Sequence, residues 1–201
     1  MNYVFRLVIP ALTVLLILPA AAFAQQSSDL GLQVNGSAVE VLWGTEFEAT
    51  PGEMRVDVNA LYDDDEYKML GGSLTIGDTV MTPGLTGRLG FRGVIGEFER
   101  PGRDSDLRAA AFVLKGEYDL SSAYISRYIP VVLHATLNFG PSPLCFDDTD
   151  QFIEITGGVE WWVIENAAVM LNFRHIDVEF DDPVDWDESD SSAYGGIKFR
   201  F

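Results

Sequence analysis

The sequence predicts an all-β protein, an antiparallel up-and-down transmembrane β-barrel that follows a cleaved signal peptide. Three observations favour this fold class. Apolar and polar residues alternate in segments about as long as a tilted strand that crosses a bilayer. The first residues have the layout of a secretory signal. The last residues form an amphipathic strand that ends on an aromatic side chain, Phe201.

The start of the chain predicts export. Arg6 is the only charged residue before Gln25, and the nearly continuous apolar stretch 7–18 follows it. Ala22-Phe23-Ala24 then supplies the small residues of a cleavage site. A transmembrane helix is disfavoured because the apolar run is too short and is interrupted by proline. We therefore expect a signal peptide at 1–24 and one outer-membrane β-barrel domain at 25–201.

Composition argues against nucleic-acid binding and against a disulfide-stabilised fold. The formal net charge is −18, which argues against nucleic-acid binding because such surfaces are basic. Cys145 is the only cysteine, so the exported chain has no disulfide framework, and we interpret this thiol as a tolerated loop residue. No cofactor and no metal-ligand pattern is predicted.

The alternating pattern gives the strand count. Asn35-Gly36 marks a first hairpin, and the segment 85–95 alternates clearly. Charged loops are expected at 97–106 and 180–191. At His175 the apolar alternation slips by one residue, which predicts a β-bulge. The pattern yields ten strands, or eight if the first hairpin does not span; both are even numbers. A soluble lipocalin-like barrel, with the faces inverted, is the alternative fold.

The inward-facing positions of these strands carry charges of both signs in balance. Charges in a narrow lumen need partners, so we expect a cross-linked plug more than an open pore. A charged constriction that selects small solutes is the porin-like alternative. Glu40, Glu46 and Asp119 also face inward, which makes seven acidic and seven basic inward residues. The predicted lumen charges singled out as a candidate site are Arg55, Asp57, Arg88, Arg92, Lys115, Glu117, Glu154, Glu160, Arg174, Lys198 and Arg200.

The C-terminal strand resembles the assembly signal of bacterial outer-membrane barrels. Gly196 is followed three residues later by Phe199, and Phe201 is the terminal aromatic residue. Tyr194 belongs to the same predicted signal. This resemblance implies recognition by the barrel assembly machinery and by periplasmic chaperones. The alternative is the edge strand of a soluble sheet.

Four segments, in this order and spacing, resemble the YfaZ family of proteobacterial outer-membrane proteins. The resemblance implies a barrel in the cell outer membrane of a Gram-negative bacterium, in contact with lipid and lipopolysaccharide. It implies no enzymatic or transport activity. The segments are Asn59-Ala60-Leu61-Tyr62-Asp63-Asp64-Asp65, Pro141-Ser142-Pro143-Leu144-Cys145-Phe146-Asp147-Asp148, Phe173-Arg174-His175-Ile176-Asp177-Val178 and the run from Ala193 to Phe201.

The function expected from the sequence is that of a small outer-membrane barrel, structural or porin-like, with acidic outer loops. Two alternatives stay open: an outer-membrane enzyme that acts on lipids, and a surface-binding protein that uses its loops. No enzyme is predicted, because neither His134 nor His175 has a serine and a carboxylate at a spacing that singles out a nucleophile.

Overall fold

The computed structural model describes residues 26–49, 52–63, 67–100, 103–122, 130–181 and 186–201. The expected signal peptide at 1–24 lies outside these residues. Nearly all of the described chain belongs to one antiparallel sheet. Its strands are β1 (Gln26–Val34), β2 (Ala38–Glu48), β3 (Glu53–Asp63), β4 (Tyr67–Thr79), β5 (Leu85–Arg100), β6 (Arg103–Asp119), β7 (Val131–Gly140), β8 (Cys145–Phe146), β9 (Thr149–Ile164), β10 (Ala167–Phe180) and β11 (Trp186–Arg200).

The sheet closes into a barrel because β1 pairs with β11. Each long strand pairs antiparallel with the long strands before and after it in the chain. β8 has only two residues and lies in the connection between β7 and β9, so the wall consists of ten long strands. The prediction of ten strands is confirmed over the alternative of eight, because the first hairpin, β1–β2, forms part of the wall.

The β1–β2 hairpin turns where the sequence predicts. Asn35 and Gly36 lie between the paired strands, and the Asn35 side-chain oxygen accepts hydrogen bonds from the backbone N–H groups of Ser37 at 2.9 Å and Ala38 at 2.5 Å. An asparagine side chain that bonds the backbone two residues ahead stabilises such a turn. We call the end of the barrel that holds this turn the loop end, and the opposite end, which holds Phe201, the C-terminal end.

The outer surface of the wall is apolar and the interior carries the charges. Leu171, for example, is 64% exposed on the outer face, whereas Glu40 is 0% exposed inside the barrel. A soluble barrel has the opposite arrangement, and a transmembrane barrel presents its apolar face to lipid. The soluble lipocalin-like alternative is therefore wrong. No helix in the described part of the chain is long and apolar enough to cross a membrane.

Two of the expected loops are shorter than predicted. β5 and β6 remain paired as far as Arg100 and Arg103, and β10 and β11 remain paired as far as Phe180 and Trp186. Charged residues in these stretches therefore belong to paired strands at the loop end. Hydrophobic alternation alone did not locate the strand ends, because the strands continue beyond the apolar band.

The predicted β-bulge at His175 is absent. β10 pairs with β9 without a register shift from Ala168 to Glu179, and the shifts lie at the two ends of that stretch. Ile176 and Val178 therefore point into the barrel and are buried there. The apparent slip in the pattern has another cause: the interior itself becomes apolar towards the loop end.

Candidate functional site

The interior of the barrel has two layers, and the layer at the loop end is apolar. We call this layer the apolar seal. Tyr67 stacks on Phe98 with ring centroids 4.9 Å apart, and Phe98 meets Phe180 edge-on at 5.6 Å. The buried side chains come from strands on opposite sides of the wall, so they fill the lumen. The seal consists of Ala38, Leu61, Tyr67, Met69, Val94, Phe98, Leu107, Ala109, Ala111, Phe152, Ile176, Val178, Phe180 and Tyr194.

A charged layer begins directly below the seal, and Arg174 is its centre. Arg174 forms ion pairs with Glu40 at 2.5 Å and with Glu154 at 3.0 Å. Arg92 approaches Glu154 from β5 at 3.5 Å. The Arg174 guanidinium also lies 5.4 Å from the ring centroid of Tyr194, so it contacts the seal as well.

Amide side chains complete the hydrogen bonding of these two carboxylates. Asn59 donates to Glu40 at 2.7 Å, and Gln33 donates to the same carboxylate. Asn138 donates to Glu154 at 2.8 Å. A buried carboxylate is stable only when it has charged partners and hydrogen-bond donors, and both carboxylates have them. The network joins strands on opposite sides of the barrel.

Further ion pairs lie between this network and the C-terminal end. Arg55 pairs with Asp29 at 2.8 Å and with Asp57 at 2.7 Å. Lys198 pairs with Glu160 at 2.8 Å and lies 3.7 Å from Asp29. These contacts connect β1 and β3 with β9 and β11 across the lumen.

Arg88 is the centre of a third group. It pairs with Glu46 at 2.7 Å, with Glu53 at 2.9 Å and with Glu117 at 3.5 Å. Lys115 adds a contact of 3.3 Å to Glu117. Three carboxylates thus surround one almost fully buried guanidinium.

His134 lies inside the barrel, where its Nδ1 is 3.8 Å from the Glu160 carboxylate. A cavity of about 160 Å³ occupies the same part of the lumen, with Lys115, Thr136 and Asn172 in its lining. This volume has room for several water molecules. In the part of the chain that the structure describes, no group of three or more metal-ligating side chains could hold a metal ion.

The structure places ten of the eleven predicted lumen charges in these ion-paired groups. Arg200 is the exception: it lies opposite Asp29 in the strand register and therefore on the inward face, but at the C-terminal end and outside these ion-paired groups. It is exposed, and its guanidinium lies 4.0 Å from the ring centroid of Trp162. Its position near the C-terminus puts it at the end of the barrel, where a cation over an indole ring needs no carboxylate partner.

The residues of the predicted assembly signal have different positions. Tyr194 is buried in the seal, whereas Phe199 and Phe201 are exposed on the outer surface. Phe201 exchanges backbone hydrogen bonds of 2.9 and 3.0 Å with Ser28 on β1. Gly196 lies so close to β1 that an added Cβ would come 2.5 Å from the Leu32 carbonyl oxygen.

Sequence reasoning missed the seal and one cross-strand pair. Met69, Val94 and Ile176 are apolar residues at inward positions, so a signal for the seal was present in strands that are apolar on both faces near the loop end. The second missed feature is a contact between His175 and Ser191, whose side chains are 2.8 Å apart. These residues are distant in the chain, and only the strand register brings them together.

No protein-family model and no curated protein matches the sequence. Three solved structures overlap loosely with this chain. A chain from a study of the in-meso crystallization of membrane proteins is 13% identical, with a TM-score of 0.44 over 88% of this chain and 83% of that one. A chain from the de novo design of transmembrane β-barrels is 12% identical, with a TM-score of 0.33 over 90% and 98%. A mutant of the Rh. blastica porin is 9% identical, with a TM-score of 0.17 over 88% and 98%.

These overlaps are too loose to carry a functional inference. The class of the protein follows from its own strand pairing and from its two faces: a closed barrel that is apolar outside and charged inside. The protein is a small transmembrane β-barrel. Among such barrels it is one of ten strands, with a lumen that side chains fill at the loop end.

Proposed function

We propose that this protein is a structural barrel of the bacterial outer membrane whose lumen does not conduct ions or solutes. The observation that carries this proposal is the apolar seal. An aqueous path needs polar walls and open space, but the aromatic rings of Tyr67, Phe98 and Phe180 pack against one another across the lumen. Below them the charges are held in ion pairs.

The location in the outer membrane rests on the expected signal peptide and on the form of the C-terminal strand. Membership of the YfaZ family stays a prediction, as do contacts with lipopolysaccharide, the barrel assembly machinery and periplasmic chaperones. In this arrangement the C-terminal end faces the periplasm and the loop end faces outward. Part of the acidic stretch 181–190 lies outside the described residues, so the alternative of a surface-binding protein gains no support from it.

The porin-like alternative predicts a different result in a planar bilayer. Purified, folded protein should insert without discrete conductance steps, while a general porin in the same bilayers gives them. Heat-modifiable migration on gels shows that the sample is folded. Regular steps whose size scales with salt concentration would refute the structural proposal and favour a pore.

A further inference from the structure

Two side chains on the outer wall form a contact that the lumen does not explain. Nδ1 of His175 on β10 lies 2.8 Å from Oγ of Ser191 on β11. The two residues are directly opposite in the strand register. Arg200 and Asn166 are also opposite each other in this register, and the backbone N–H of Arg200 donates to the Asn166 carbonyl, so they are a hydrogen-bonded pair. Such pairs alternate with non-hydrogen-bonded pairs along antiparallel strands, so every even-numbered residue of β11 belongs to a hydrogen-bonded pair with β10 and every odd-numbered residue does not. His175 and Ser191 are therefore a non-hydrogen-bonded pair, whose side chains approach most closely.

The pair lies at the border between the apolar and the polar part of the outer surface. On the side of the C-terminal end, the outward residues of the two strands are Phe173 and Ala193, both exposed. On the side of the loop end they are Asp177 and Ser189. In a membrane this border is the depth at which acyl chains meet head groups, and lipid ester bonds lie there.

The backbone next to Ser191 has hydrogen-bond donors to spare. Pairing between β1 and β11 ends at Val34 and Gly195, because the chain then turns away. The N–H groups of Ser191 and Ala193 point to the edge of β11 that faces β1. The even-numbered neighbours of these residues, such as Ser192, donate to β10 on the opposite edge. No strand in the described part of the chain lies beside them there. Free backbone donors next to a serine can stabilise the oxyanion of acyl transfer.

We propose that Ser191 and His175 form a hydrolytic site for acyl esters at the membrane surface. His175 Nδ1 takes the proton from Ser191 Oγ as the oxygen attacks the ester carbonyl carbon. The tetrahedral oxyanion accepts a hydrogen bond from the free backbone N–H of Ser191, because the N–H of Ala193 lies two residues further along the strand. Collapse breaks the ester bond, the alcohol leaves with the proton from His175, and the acyl group remains on Ser191. Water, deprotonated by His175, then releases the carboxylic acid and restores the serine.

A hydrolytic site here would make the protein an enzyme, contrary to the expectation from sequence. Ser191 is 16 positions from His175 in the chain, so sequence spacing does not connect the two residues. The strand register supplies the serine. It also separates the candidate from His134, which lies inside the lumen beside Glu160 and out of reach of lipid.

The experiment uses the full barrel, folded in detergent micelles, with 4-nitrophenyl dodecanoate as the ester probe and a fluorophosphonate as the serine probe. The fluorophosphonate should phosphonylate Ser191, with loss of fluoride, at a site located by mass spectrometry. Ser191→Ala should abolish both the adduct and the ester hydrolysis. His175→Gln should lower both rates by roughly 10²-fold or more.

Ser189→Ala is the matched control, because Ser189 lies on the same outward face, one pair along, opposite Asp177. It should keep both activities. All variants must show the heat-modifiable shift of the folded barrel, so loss of folding is distinguished from loss of chemistry. A folded wild-type protein that neither hydrolyses the ester nor forms the adduct would overturn the proposal. Equal rates in wild type and Ser191→Ala would overturn it as well.

Discussion

Arg174 is the most informative place to perturb the interior, because two buried carboxylates depend on it. The change Arg174→Met keeps an apolar chain of similar reach but removes the cation that lies 2.5 Å from Glu40 and 3.0 Å from Glu154. Glu154 keeps a contact of 3.5 Å to Arg92. Glu40, which is fully buried, keeps only amide donors. Removing one partner of a buried ion pair costs about 3–5 kcal/mol.

The measurement is urea unfolding of the barrel in phospholipid vesicles, followed by tryptophan fluorescence. The free energy of unfolding should fall by about 3–5 kcal/mol for Arg174→Met. The matched control is Arg108→Met. Arg108 also forms a short ion pair, 2.7 Å to Asp147, but its side chain is 54% exposed. An exposed pair contributes about 0–1 kcal/mol, so the control should change stability little.

A double variant tests the physical reason. In Glu40→Gln/Arg174→Met the carboxylate that lost its cation is neutral, so part of the stability should return. The coupling between the two changes should lie at roughly 0.5–3 kcal/mol. Equal losses for Arg174→Met and Arg108→Met, or strictly additive effects in the double variant, would show that the Arg174 network does not stabilise the barrel.

Three further results are expected. Gly196→Ala should slow barrel closure in refolding assays, because the added Cβ would meet the Leu32 carbonyl at 2.5 Å, whereas Gly195→Ala, with nothing within 4 Å of its Cβ, should refold normally. Burial raises the pKa of Cys145 from 9.0 to about 11. The rate of alkylation by iodoacetamide at pH 8 should therefore be about a hundredfold lower than for an exposed thiol, and it should rise about tenfold per pH unit. A rate at pH 8 equal to that of an exposed thiol would contradict this burial. Deletion of Phe201 should reduce insertion in cells more than refolding in detergent, and normal insertion of the truncated chain would remove its role as an assembly signal.

The wall of the barrel could be predicted from the sequence because each strand shows the alternation of apolar and polar residues within its own segment. Between Leu85 and Ile95 every second residue faces outward as predicted, and the Asn35-Gly36 turn defines the first hairpin. Ion-pair partners could not be predicted in this way. Alternation places Arg174 and Glu40 inside, but which charges meet depends on the tilt and register of strands that are far apart in the chain.

The seal and the candidate hydrolytic pair needed the fold for different reasons. Ile176 and Val178 break the alternation only for a lumen that is polar throughout, whereas the lumen of this barrel is apolar at the loop end, where both residues are buried. Ser191 was not connected with His175 because the pairing of β10 with β11 sets that contact, and a register error of one residue would have put the two side chains on opposite faces.

The network around Arg174 also has a consequence for how the barrel is made. Arg174 and Glu40 are 134 positions apart in the chain, so they can meet only when the second strand and the penultimate long strand are both in the wall. Contacts of such long range slow folding, and until they form, an unneutralised charge faces the interior. A half-inserted barrel therefore has a higher electrostatic free energy, because its interior charges lack partners. Only the complete circle of strands neutralises them.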